Sequence, residues 1–177
     1  MKKLIYKSCG FLNQMDCVLN GRKIKYESKK IWMLRETWGN RTVKNPDWRE
    51  LKGSVAKSSG YRYVEINKKP YSYHRVVYFL HNQKWKIHDS STDNSIDHID
   101  RDKLNNNIEN LRVVTHSQNM WNNDCRGYTF DKARGEYQAQ IKVDGKRKFL
   151  GYFKSEQAAR DSYLEAKEIL HRIPQCV

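Results

Sequence analysis

Hydrophobic positions in this chain come in short bursts rather than long periodic runs. From Tyr61, "YRYVEI" and "YSYHRVV" set β-branched and aromatic residues on either side of "NKKP", which predicts a hairpin around a polar turn. "HRVVYFLHNQ" then carries Val76, Val77, Phe79 and Leu80 at helical intervals, so a short helix with those four inward is expected. "HDSSTDN" is polar throughout and reads as a loop. "SIDHID" and "LRVV" are two short strand-like runs joined by the asparagine-dense connector "RDKLNNNIEN". Thr115 is placed to cap a helix over residues 116–123. Ser95 to Asn123 is therefore expected to run strand, loop, strand, helix.

A second pattern begins near Arg126. "YTFDKA", "EYQAQIKV" and "KRKFLGYF" are three strand-like runs, and Asp144-Gly145 is a strong hairpin signal between the last two. "SEQAARDSYLEAKEILH" reads as a helix with Ser155 as its N-cap, acids in its first turn and a basic end. Ala158, Ala159, Tyr163, Ala166 and Leu170 recur at helical spacing and form its inward face. Before residue 53 the pattern has no clean period, and several short strands or an extended arm fit equally well. The expected organisation is a basic segment over residues 1–55, a first domain over 56–125 and a second over 126–177. Its class is α+β: a small strand–strand–helix core followed by a three-stranded antiparallel sheet packed on one helix.

Charge sharpens this picture. The formal net charge is +14, and a chain this basic usually meets a polyanion, with nucleic acid first in line. Residues 1–90 hold 20 Lys and Arg against 7 Asp and Glu, and residues 126–177 hold 11 against 7. Between them, residues 91–125 hold 3 against 6. An acidic island between basic flanks suits a cation-dependent site on DNA, because the flanks can hold phosphates while the island holds a metal. Cys9, Cys17, Cys125 and Cys176 form no C-x-x-C pair, so a zinc ribbon has little support. Cys9 and Cys17 with a distant histidine are a weaker zinc alternative to four reduced thiols. No apolar run follows Met1-Lys2-Lys3, and none is long enough to span a bilayer, so neither a secretory leader nor a membrane anchor is expected.

The island contains Asp97 and His98 as neighbours. Phosphodiester hydrolysis needs an activated water, charge stabilisation at the phosphate and help for the leaving oxygen. A histidine can take the proton from water, and a divalent cation can stabilise the developing charge. Mg²⁺ prefers hard oxygen ligands and keeps several waters, so one carboxylate and one amide oxygen make a sufficiently open site. Adjacent strand side chains point to opposite faces, which would separate the metal ligand Asp97 from the base His98. Asn119, on the following helix, would complete the cation site. His116 is a rival base, although a histidine at a helix start is usually exposed.

"DHIDRDKLNNNIENLRVVTHSQN" resembles the HNH motif of phage homing endonucleases, which have the ββα-metal fold. "YHRVVYFL" resembles the His-Arg helix that precedes the motif there, so the likeness covers roughly Gly60 to Asn123. The resemblance implies that Asp97 ligates the metal, His98 is the general base, Asn110 braces the loop and positions that base, and Asn119 is a metal ligand. Asn122 matches a further asparagine near the active site of such enzymes. His74 and Arg75 are candidates for a structural or phosphate-contacting role rather than a catalytic one. The cation implied is Mg²⁺ or Mn²⁺, since an amide at residue 119 favours these over zinc. Arg101 departs from the pattern, because relatives often carry Gly in that turn.

"RGYTFDKARGEYQAQIKVDGKRKFLGYFKSEQAARDSYLEAKEIL" resembles an APETALA2-type DNA-binding domain, carried by its "RG" start, "AxI", "LGxF" and the helix "SEQAARDSY". Such a domain lays its sheet in the DNA major groove. The resemblance puts DNA contacts on Arg126, Thr129, Asp131, Arg134, Gln140, Lys142, Arg147 and Phe149. Alternation adds Gln138, which shares a face with Gln140 and Lys142, while Tyr137, Ala139, Ile141 and Val143 face the helix. Several contact positions differ from the family, so the bases read do not transfer.

The sum is a site-specific, metal-dependent DNA endonuclease of homing type, expected to act as a monomer on double-stranded DNA in a bacterial cytoplasm, with no small-molecule substrate and no membrane. A single active site predicts nicking. The competing readings are a non-catalytic DNA-binding regulator with an inert core and a protein that binds or cuts RNA.

Overall fold

The computed structural model describes residues 15–38 and 41–172. Cys9 and Cys176 lie outside them, and with Cys9 the zinc alternative built on it. The described residues form two compact units, one running up to Ile87 and including Lys103–Ile108, the other comprising His88–Asp102 and the chain from Glu109 onward.

In the first unit the irregular N-terminal pattern resolves into a meander. Strands β1 (Met15–Leu19), β2 (Arg22–Glu27), β3 (Lys30–Trp38) and β4 (Arg41–Glu50) form a four-stranded antiparallel sheet in chain order. Tight turns make this possible. Asn20 and Gly21 both take positive φ, 48° and 77°, in a two-residue turn between paired Leu19 and Arg22. Such a turn twists with the strands it joins. Ser28 and Lys29 do the same at 52° and 61°.

Strands β5 (Ser54–Val55), β6 (Arg62–Ile66) and β7 (Lys69–Ser72) make a second sheet. The expected hairpin is present, but its turn is Asn67-Lys68 and Pro70 lies inside β7. β7 is an edge strand, where proline's missing N–H is tolerated. The strand stops at Ser72, short of the expected "YSYHRVV", because Tyr73, Val76, Val77 and Leu80 fall on one buried face of helix α1 (Tyr73–His81). That face packs against β1, β2, β6 and β7. Phe79, expected inward, is only half-buried. The Tyr73 hydroxyl accepts a 3.1 Å bond from the backbone N–H of Ile31, tying helix to meander.

The second unit opens with the hairpin β8 (Ser95–His98) and β9 (Leu111–Val114), followed by helix α2 (His116–Trp121). Ile96, Leu111 and Val114 are buried, and α2 packs on both strands. A full capping box starts the helix: the Thr115 hydroxyl accepts from Gln118 N at 3.1 Å, and the Gln118 carboxamide accepts from Thr115 N at 2.9 Å. Strands β10 (Tyr128–Asp131), β11 (Glu136–Val143) and β12 (Lys146–Phe153) form an antiparallel sheet. Its Ala139 and Ile141 are buried, and β11 packs against helix α3 (Glu156–Leu170), where Ala159 and Tyr163 are buried. Ser155 caps α3 by accepting from Ala158 N at 3.2 Å. Among the described residues no helix is long and apolar enough to cross a membrane.

The segment joining α2 to this sheet is held by α3. Arg160 donates to the carbonyls of Cys125 and Arg126 and, at 2.7 Å, to the Asp124 carboxylate. Lys167 donates to the Asn123 carbonyl at 2.8 Å. The Trp121 and His171 rings stack with their centroids 4.6 Å apart. Gly127 comes so close to the Tyr163 ring that a Cβ there would lie 2.0 Å from Cγ. Sheet, helix and the end of α2 are thus bound into one piece within this unit.

Candidate active site

Asp97 and His98 close strand β8, and both are 4% exposed. Their cross-strand partners are Arg112 and Leu111. A residue directly opposite another on an antiparallel pair lies within side-chain reach, and Arg112 uses that reach fully. Its Nε and Nη2 donate to Asp97 Oδ2 at 2.9 Å and 2.7 Å. Both partners are nearly excluded from water, so this is a buried ion pair, whose loss would leave an uncompensated charge.

Asn122 supplies the second hold. Its Nδ2 donates to Asp97 Oδ1 at 3.0 Å, to Oδ2 at 3.1 Å and to the His98 carbonyl at 2.7 Å. Asn122 is the C-cap residue of α2, so the end of that helix is pinned onto the Asp-His pair. Asn119 lies three residues earlier, and residues three apart are neighbours on a helix surface. It therefore shares the helix face that meets β8. Asn119 is half-buried and its backbone N–H bonds to the Thr115 carbonyl.

Asn110 sits at the other end of the connector. Its Oδ1 accepts from Asp100 N at 3.0 Å, its Nδ2 donates to Asp100 Oδ1 at 2.8 Å, and its carbonyl accepts from Ile99 N at 2.9 Å. It braces the turn that leaves His98. In that turn Arg101 takes φ +68°, a left-handed conformation that glycine adopts without strain. Its guanidinium lies 3.9 Å from Asp124.

The donor set fits a hard divalent cation. A carboxylate offers about four acceptor positions, and Oδ1 of Asp97 receives one bond, from Asn122, while Oδ2 receives three. Asn119, one helical turn before Asn122 on α2, is the candidate for a neutral amide oxygen beside that carboxylate. Among the described residues no three His, Cys, Asp or Glu side chains gather into a metal site of their own, so a thiolate or imidazole zinc cluster is not part of this geometry.

The remaining expected contacts fall elsewhere. His74 and Arg75 lie on α1 in the first unit. His74 is buried, with its ring 5.1 Å from that of Tyr61. Arg75 donates to the Ile87 carbonyl at 2.8 Å and stacks over Trp85 at 4.6 Å, so its visible work is structural. His116 is exposed at the start of α2.

On the sheet, pairing sets Thr129 and Tyr152 beside Gln138, Phe149 beside Gln140, and Arg147 beside Lys142. Opposed residues share a face, and this one is polar, cationic and aromatic. Phe149 is 54% exposed there, its ring 5.2 Å from that of Tyr152. Arg134 stacks over Tyr152 at 4.5 Å; Arg126 is exposed in the joining segment, and Asp131 closes β10. Along the edge where β10 no longer covers β11, a cleft of about 630 Å³ is lined by Met120, Trp121, Gln140, Lys142, Arg147 and His171, among others.

Around the joining segment, ionisation follows the contacts. The hydrogen bond and charge of Arg160 hold the Asp124 carboxyl below the usual carboxylate range. Burial, with a 2.7 Å bond to the Cys125 thiol, pushes the Tyr163 hydroxyl well above the usual phenol range. Burial pulls Lys167 down.

Arg112 carries no local mark of its role in the sequence. The signal is its placement opposite Asp97, but the connector Ile99–Asn110 hides the strand register that reveals it.

Residues 71–121 match the family model described as HNH endonuclease. The matched segment runs from β7 through α1, the β8–β9 hairpin and α2, and so contains Asp97, His98, Asn110, Arg112 and Asn119. Comparison with curated proteins and with solved structures found no match. The chain thus carries an HNH nuclease domain and is a DNA-hydrolysing enzyme.

Proposed function

We propose that this protein is a site-specific DNA endonuclease of homing type that cuts one strand per binding event. The observation that carries this reading is the buried Asp97-His98 pair of the HNH-matched segment, pinned by Arg112 from within that segment and by Asn122 just after it. His98 is the base that takes the proton from the attacking water. Asn110 is a positioning residue, because its bonds to Asp100 and Ile99 fix the turn behind His98. Asp97 and Asn119 are the residues to hold Mg²⁺ or Mn²⁺. Such an ion, when bound, stabilises charge on the phosphate and on the leaving oxygen.

The carboxy-terminal sheet supplies site selection in the manner of an APETALA2-type domain. Gln138, Gln140 and Arg147 are the base-reading candidates, since Gln and Arg make bidentate contacts to adenine and guanine. Lys142, Arg126 and Arg134 serve the phosphates, and exposed Phe149 stacks or wedges against the duplex. Joining a selecting module to a cutting one raises the local concentration of each at the other's site. The protein acts as a monomer, and a single catalytic centre favours nicking.

The test is cleavage of supercoiled phage or host DNA in Mg²⁺ or Mn²⁺, followed by end-mapping. Defined nicks that vanish with EDTA and with Asp97→Ala support the reading. Binding without any cut in either ion would leave a DNA-binding regulator instead.

A further inference from the structure

We infer that Arg112 is the resident counter-cation of Asp97. It keeps the cation site weak in the free protein and lets it strengthen when a DNA phosphate arrives. This rests on Asp97 being the cation's carboxylate, as proposed above.

The division of labour between the two carboxylate oxygens carries the inference. Oδ2 accepts two bonds from Arg112, at 2.9 Å and 2.7 Å, and a third from Asn122 at 3.1 Å. Oδ1 accepts from Asn122 at 3.0 Å. With about two acceptor positions per oxygen, Oδ2 is full and Oδ1 has room. A divalent ion taking Oδ1 therefore shares Asp97 with Arg112 rather than evicting it.

Sharing has an electrostatic consequence. A carboxylate removed from water is costly unless a partner charge accompanies it, and Arg112 supplies that partner when no metal is bound. With the ion added, one negative group serves a guanidinium and a dication. The two positive centres repel at short range in a poorly screened site. A phosphodiester brings the missing negative charge and turns that repulsion into attraction. Ion and DNA then bind cooperatively, and each must raise the affinity of the other by the same factor. Asn122 keeps the arrangement from rotating, because one amide group holds both carboxylate oxygens and the His98 carbonyl.

The experiment measures Mn²⁺ binding by calorimetry, and thermal melting with and without Mn²⁺, on the full chain. Wild type, Arg112→Met, Arg112→Lys and Asp97→Asn are compared. Arg112→Met should bind Mn²⁺ about tenfold more tightly than wild type, melt lower in EDTA and recover with Mn²⁺. Arg112→Lys keeps the charge and should stay within about threefold of wild type. In a His98→Ala background, which slows cutting, a short mixed-sequence duplex should tighten Mn²⁺ binding by about tenfold.

Asp97→Asn should abolish Mn²⁺ binding; if binding survives, the cation-site reading itself fails. If Asp97→Asn abolishes binding but Arg112→Met binds Mn²⁺ no better than wild type, the counter-cation inference alone is overturned. Should Arg112→Met fail to fold, Arg112→Lys and the duplex titration decide: a tenfold loss with Lys, or no effect of duplex, overturns it.

Discussion

Asn122 Nδ2 lies 3.0 Å from Asp97 Oδ1 and 2.7 Å from the carbonyl of His98. One amide at the end of α2 thus fixes the orientation of the carboxylate and the strand end that presents the imidazole. Replacing Asn122 by Asp would set two carboxylates against each other and against a carbonyl. The expected result is lost cleavage and lower stability, by about 3 kcal/mol, as for a buried unpaired charge. Asn122→Ala should be milder in stability, about 1–2 kcal/mol. Urea denaturation of the two variants beside wild type measures both.

The turn after the Asp-His pair carries strain that is easily relieved. Arg101 sits at φ +68°, where an L-residue other than glycine pays about 1–2 kcal/mol. Its contact with Asp124, at 3.9 Å between exposed side chains, offsets little of that. Arg101→Gly should raise the stability by about 1 kcal/mol, allowing for glycine's greater freedom when unfolded. A higher urea midpoint with unchanged slope would show it; a lower midpoint would mean the Arg101 side chain has a role the turn geometry does not reveal.

Gly127 permits the opposite test. A Cβ there would lie 2.0 Å from the Tyr163 ring, and φ is +79°. Tyr163 is buried against the sheet and cannot retreat cheaply. Gly127→Ala should therefore destabilise by about 3 kcal/mol or more. Melting followed by circular dichroism would detect this, and a neutral result would refute the close approach.

Acid should loosen the joint between α2 and the sheet. The folded Asp124 carboxyl is held below its unfolded value, first by the Arg160 hydrogen bond and then by its charge. A lowered folded pKa contributes stability that is present above the unfolded carboxylate value, near pH 4, and is lost as pH falls through the folded value. Asp124 is fully exposed, so the effect is small. Titration of the Asp124 carboxyl by NMR should show a midpoint below the ordinary range that returns to it in Arg160→Gln.

Several parts of this fold are written locally. Thr115 with Gln118 forms the expected cap, and Asp144-Gly145 makes its hairpin because both residues tolerate positive φ. Asn20-Gly21 is an equally plain signal that resolves the N-terminal meander. Ser28-Lys29 makes the same turn without glycine or asparagine, held by the pairing of β2 with β3, so no local rule reveals it.

The site divides similarly. The Asp-His pair and the spaced asparagines are visible as a motif. The Asp97–Arg112 pair depends on strand register across a long connector, and tertiary pairing alone sets it. The reach of Arg75 to Ile87 and Trp85 likewise appears only once α1 is packed.

The most direct test of the central claim is single-turnover cleavage by His98→Ala, at saturating DNA and Mn²⁺. The account predicts a rate lowered by about 10²–10⁴-fold, with Mn²⁺ binding and DNA binding within about threefold of wild type. Cleavage at an undiminished rate would contradict it, because some group other than the imidazole beside Asp97 would then be taking the proton from water.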